Sequence, residues 1–207
     1  MQEHTVSDLD RNRSSAYCHC QPPTPSFMHR QPLLTLLRQH MPTDATEATM
    51  TAQTIAFVEA NPDCFERSLA EGHVTGSAWI TSPNGQRVVL IHHRKLDRWF
   101  QPGGHADGDP DVAVVALREA QEETGLPDLT LASPAIFDVD VHAIPAREDV
   151  GAHLHYDIRF RLKSDEKIII GENSEVKAIR WVELAEAEAL ADSESISRIV
   201  RKSQKQN

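Results

Sequence analysis

A chain of 207 residues carrying a net charge of −10 is long enough for one domain with a sizeable core plus extensions. Its acidity argues against a general nucleic-acid surface, which needs a basic face, but not against a nucleotide whose contact a metal ion mediates. No apolar run reaches membrane-spanning length, the N-terminus lacks a signal-peptide core, and three cysteines make no disulfide framework; the expected setting is the reducing cytoplasm, with no membrane partner.

Residues 1–30 are polar, proline-bearing and without sustained periodicity, and read as a disordered tail. Met28 is an alternative start for the folded protein. Cys18, His19 and Cys20 lack the second ligand cluster that a zinc site needs. Residues 31–72 read as a helical arm. Leu33, Leu34, Leu36 and Leu37 mark a short amphipathic helix from Pro32 to Met41. Thr43 or Asp44 caps a longer one, whose buried side is Met50, Ile55, Phe57 and Val58 and which Asn61-Pro62 ends. Such stripes pack within the chain, or form the contact of a homodimer.

From His73 the period changes to two. Val74–Thr81 reads as a strand, Ser82–Gly85 as a turn, and Arg87–His93 as the partner strand of a hairpin. Arg94 and Lys95 follow at the strand end and are candidates to meet phosphate. Trp99 and Phe100 read as core or pocket wall.

The segment Gly103-Gly104-His105-Ala106-Asp107-Gly108 then feeds a helix. Asp109 is the expected cap, Pro110 the first helical residue, and Gly125 the left-handed stop. Glu119, Glu122 and Glu123 stand at i, i+3 and i+4, on one side of that helix. Like charges there repel, and they occupy the end of the helix whose dipole prefers cations. Arg118 alone cannot neutralise three carboxylates, whereas a hard divalent ion would. Val112, Val115 and Ala116 share the glutamate side, and Ala113, Val114, Leu117 and Ala120 the other. A helix apolar all round is buried on both sides, so the glutamates are expected to border a cleft.

Gly104 followed, at fixed spacing, by Arg118-Glu119-Ala120-Gln121-Glu122-Glu123-Thr124-Gly125-Leu126 resembles the Nudix box. Pro110 replaces the pattern's first glutamate, and Ala120 stands at a bulky apolar position. The resemblance implies a Mg²⁺- or Mn²⁺-dependent pyrophosphohydrolase acting on a small-molecule diphosphate or nucleotide. By position it implies Glu119, Glu122 and Glu123 as metal ligands, with Gly103 beside them. It implies Arg118 as the residue orienting a carboxylate, and Glu119 or Glu123 as the group that helps deprotonate water. Asp109 or Asp111 is the candidate stand-in for the missing glutamate. His105, directly after the glycines, is a candidate for substrate.

After the box, Leu129–Ala132 is a candidate strand. Phe137–His142 alternates, with Phe137, Val139 and Val141 on one face and Asp138, Asp140 and His142 on the other. His153–Phe160 repeats the pattern, with His153, His155, Asp157 and Arg159 on its polar face. If the two strands pair, those faces form one surface of acids and imidazoles. That surface is a substrate pocket with His153 or His155 at the ligand, or a second metal position, or a wet sheet face. Ile168–Ile170 and Val176–Val182 add strand material. Glu175, with Glu172 second, is the late-loop acid expected near the metals. Helices follow over Glu183–Leu190 and Ile196–Val200, before a frayed basic end.

The fold class expected is α/β: helices flanking a mixed sheet over residues 73–207, with the resemblance supplying the Nudix α/β/α sandwich. The rival readings are a nucleotide-sensing module without catalysis and an isoprenoid diphosphate isomerase. The latter would need its own acid and base, and no cysteine lies in the catalytic half. Selectivity is assigned to loops such as Ala143–Ala152.

Overall fold

The computed structural model describes residues 28–94, 96–147, 149–166 and 176–206. Two helices lead, α1 (Gln31–Gln39) and α2 (Ala45–Ala60). Leu33, Leu34 and Leu37 of α1 are buried, as the leucine spacing requires. The Asp44 side chain accepts from the Glu47 N–H and caps α2. Arg30 closes the other end of α2, donating to the carbonyls of Val58 and Glu59 at 2.7 and 3.0 Å, where the helix dipole favours a cation. Phe57 of α2 stacks on Tyr156 with ring centroids 3.9 Å apart, so this pair of helices shares the core of the sheet.

The sheet comprises β1 (Gly72–Thr81), β2 (Arg87–His93), β3 (Arg98–Phe100), β4 (Gly103–His105), β5 (Thr130–Leu131), β6 (Asp138–Ile144), β7 (His153–Lys163) and β8 (Val176–Glu183). Its centre is β1 running parallel to β7, in register from Gly72↔Leu154 to Thr81↔Lys163. Antiparallel β6 lies on the far edge of β7. The helix α3 (Val112–Thr124) crosses one face at Gly76. A Cβ on Gly76 would come within 2.9 Å of the Val112 carbonyl oxygen, so only glycine allows the helix this close. The other face is covered by α4 (Leu184–Ala191) and α5 (Glu194–Gln206), with Trp79, Val88, Leu90 and Phe137 beneath them. Strand alternation explains the two cores. Val74, Ala78 and Ile80 point to the α3 side, and Trp79 to the α5 side, where its indole N–H donates to Ser203 at 2.8 Å.

Several expectations are corrected. The hairpin is barely one: β1 and β2 share the single pair Thr81↔Val88. Below it β4 takes the β1 edge, and β2 turns instead to β8. The box helix starts at Val112, capped by Asp111, whose Oδ1 accepts from the Val114 N–H. Asp109 makes an Asx turn to the Asp111 N–H, so Pro110 sits in that turn ahead of the helix. The helix is not buried all round, because Val114 is 49% exposed. Nor do Lys202 and Ser203 belong to a frayed end: both are buried, and Lys202 donates to Glu47. Glu172, Glu175, Ile168–Ile170 and the Cys18–Cys20 segment lie outside the described residues, as does Lys95.

Candidate active site

Register builds the site. Across β1, β7 and β6, His73 faces His155 and His155 faces His142. One step on, Thr75 faces Asp157 and Asp157 faces Asp140. A step further, Ser77 faces Arg159 and Arg159 faces Asp138. The two polar faces therefore meet as one surface, as the alternation suggests, and it is not wet: Asp138, Asp157 and Arg159 are buried. This surface floors a cleft of about 490 Å³. Its walls include Glu119 and Glu123 of α3, Gly103, Gly104 and His105 of β4, Phe100, and Ser195 at the start of α5.

Buried charges need partners, and these have them. Arg159 donates to Asp157 at 2.9 Å, Asp138 at 3.0 Å and Ser195 at 2.7 Å. Arg198 reaches from α5 to both oxygens of Asp138 and to Asp140 at 2.8 Å. Burial raises the Asp140 carboxyl, but Arg159, His142 and Arg198 outweigh it and hold the group well below the usual carboxylate range. Asp157 also accepts from Thr75, Ser77 and Gln101, which ties β1 and the approach to β4 onto β7.

The glutamates of α3 divide. Glu123 is buried and accepts from the Gly103 N–H at 2.8 Å. Glu119 packs on Gly104, where any Cβ would overlap its carboxylate, and pairs with Arg118 at 2.8 Å. Glu122 turns outward, its side chain 62% exposed, 3.9 Å from the same guanidinium. Glu119 and Glu122 thus flank one guanidinium, while Glu123 is held at Gly103. Among the described residues, ligand atoms from three side chains gather within 4.8 Å of one another at His73, His153 and His155, not at the glutamates. Asp111 and Asp109 are occupied as helix cap and turn.

Of the substrate candidates, His105 and His155 line the cleft, and His153 stands behind His155 at 3.3 Å between Nε2 atoms. Arg94 does not line it; its guanidinium donates to the Val176 carbonyl. Burial, with His73, His142 and His105 around it, pushes the His155 imidazole down to about 2, and burial with His105 and His153 nearby pushes His73 down to about 4. Both are neutral at pH 7. Sequence reading passed over His73, Thr75 and Ser77. Their signal was present: polar residues at every second position of an otherwise apolar strand.

A mixed sheet thus lies between helices, with an Arg-Glu pair and a Glu-Glu pair on one helix at a cleft. A family model described as the NUDIX domain matches residues 72–202, which makes the protein a hydrolase acting on phosphoric anhydride bonds. The chain belongs to the Nudix family. A search of curated proteins found no match. Among solved structures, a binary complex of a C. elegans Ap4A hydrolase is similar with a TM-score of 0.53 and 20% identity, over 64% of this chain and 95% of that one. The E. coli dihydroneopterin triphosphate pyrophosphohydrolase gives a TM-score of 0.48 and 18% identity, over 62% and 92%. The first of these likenesses shows the shared fold.

Proposed function

We propose that the protein is a Mg²⁺- or Mn²⁺-dependent pyrophosphohydrolase cleaving a diphosphate bond in a nucleoside diphosphate derivative. The observation that carries this reading is the seating of Glu119 and Glu123 against Gly104 and Gly103, so that carboxylates from successive turns of α3 open on one cleft. Their donor chemistry fits a hard dication, which takes oxygen ligands and keeps several waters. Glu119 and Glu123 would hold it, with Gly103 beside them, and Glu122, now turned outward beside Arg118, would join them on swinging toward the cleft. When bound, such an ion screens phosphate charge and lowers the pKa of water.

The chain's own residues supply the rest. Arg118 orients Glu119 by their ion pair and steadies the β4 end through the His105 carbonyl at 3.3 Å. Glu119 or Glu123 accepts the proton of the attacking water. His105 and His155 border the substrate from the sheet side. The Asp138–Arg159–Asp157 chain holds that floor rigid, which phosphoryl transfer needs because it depends on positioning.

The test is a panel of nucleoside triphosphates, dinucleoside polyphosphates and sugar nucleotides with Mg²⁺ or Mn²⁺. Release of phosphate or a nucleoside monophosphate from one class, lost on chelation and in Glu122→Gln, supports the reading. Binding of a nucleotide without turnover across the panel would favour a sensing module instead.

A further inference from the structure

We propose a second metal site, made of His73, His153 and His155, that takes a borderline transition-metal dication such as Zn²⁺ rather than Mg²⁺. One ring nitrogen from each of these residues lies within 4.8 Å of the others. Three imidazoles are a donor set for zinc, cobalt or nickel, whereas magnesium selects oxygen. The site does not depend on the glutamate helix, so it stands or falls apart from the hydrolase reading.

Three details favour an ion over a packed histidine cluster. His73 is 2% exposed, and among the described residues neither of its ring nitrogens has a hydrogen-bond partner. An orphaned buried imidazole costs free energy that a metal bond would offset. His153 sets its Nδ1 2.9 Å from the Gly151 carbonyl. Donation there fixes the tautomer that leaves Nε2 as the lone-pair nitrogen, the usual arrangement of a ligating histidine. That Nε2 lies 3.3 Å from the Nε2 of His155. Two zinc–nitrogen bonds of about 2.0–2.1 Å at a tetrahedral angle put their nitrogens about 3.3–3.4 Å apart.

The fold makes the cluster from distant parts of the chain. His73 and His155 are a registered pair across parallel β1 and β7, and His153 is the next outward residue on the same face of β7. His155 lines the cleft, and His105 stands with its ring 5.0 Å from that of His73. A three-histidine ion at this place keeps a position for water or for a phosphate oxygen of the bound molecule.

Calorimetry on chelator-stripped full-length protein, titrated with Zn²⁺ under saturating Mg²⁺, is expected to give one equivalent. Co²⁺ in its place is expected to give the visible absorption of a low-coordinate nitrogen site. His153→Gln, at a half-buried position, and His155→Gln should each weaken Zn²⁺ binding by more than about 10-fold with unchanged circular dichroism. Glu119→Gln combined with Glu122→Gln should leave it within about twofold. Absence of stoichiometric Zn²⁺ uptake by the unmutated protein overturns the site, and so does uptake lost in the glutamate variant but kept in both histidine variants.

Discussion

Asp138 and Arg159 are a registered pair across β6 and β7, and their side chains meet at 3.0 Å with both buried. Arg198 and Lys202 approach the same aspartate from α5, so one carboxylate joins the sheet to the last helix. Removing one partner of such a buried pair strands the others. Arg159→Met should destabilise the protein by about 3–5 kcal/mol, read from urea denaturation. Because Arg198 and Lys202 keep using Asp138, Asp138→Asn in that background should destabilise further, but by less than it does in the unmutated protein. Additive losses in the double variant would show that the two do not act as a pair.

Gly104→Ala probes the seat of Glu119. The added methyl meets the far end of a flexible side chain, which can swing away, so the fold should survive with a change below about 1 kcal/mol. The carboxylate would leave its place on the cleft wall, and kcat should fall at least about tenfold, near 1.4 kcal/mol of transition-state stabilisation. Steady-state kinetics beside thermal unfolding separates the two effects. A Gly104→Ala protein with unimpaired kcat would remove Glu119's position from the account.

Acid stability should hinge on Glu47. Burial alone would raise its carboxyl, but hydrogen bonds from His40, Lys202 and the Thr43 backbone outweigh burial and hold it far below its ordinary 4.5. A depressed folded-state value means that the unfolded chain takes up the proton first as pH falls. The stabilisation is therefore complete above about pH 5 and drains away below 4.5. Glu47→Gln should flatten that acid limb of stability against pH while lowering stability at pH 7, measured by denaturant unfolding in chelator.

Phe57→Ala tests whether α2 belongs to the core. Phe57 lies flat on Tyr156 and is 8% exposed. Truncation should cost about 3–5 kcal/mol in denaturant unfolding. A cost below about 1 kcal/mol would mean that α2 docks without supporting the sheet.

The parts of this molecule that local chemistry dictates were legible in the chain. The glycine pair, the Arg-Glu and Glu-Glu pairs and the Gly125 stop all lie within 23 residues of one another, and Gly125 takes the left-handed conformation expected of it. Strand alternation gave the polar faces of β6 and β7 and their meeting. Three things escaped. Asp111 displaced Asp109 as the cap because an Asx turn intervenes, and both residues suit either role. The outward turn of Glu122 beside Arg118 is a rotamer choice, which spacing on a helix does not reveal. His73, Thr75 and Ser77 gain their meaning from partners about 80 residues away, and Lys202 from Glu47 at 155 residues' remove.

The parallel pairing of β1 with β7 has a temporal side as well. A parallel neighbour cannot be recruited by a tight turn, and closing a long loop costs entropy before any contact rewards it. The box helix can wind as soon as its own residues exist, yet the pocket floor waits for a strand that begins about thirty residues after that helix ends and some eighty after its β1 partner. A chain halted during synthesis before Asp157 would carry the family's signature and much of the pocket wall, but not the Asp157 and Arg159 that tie the floor together.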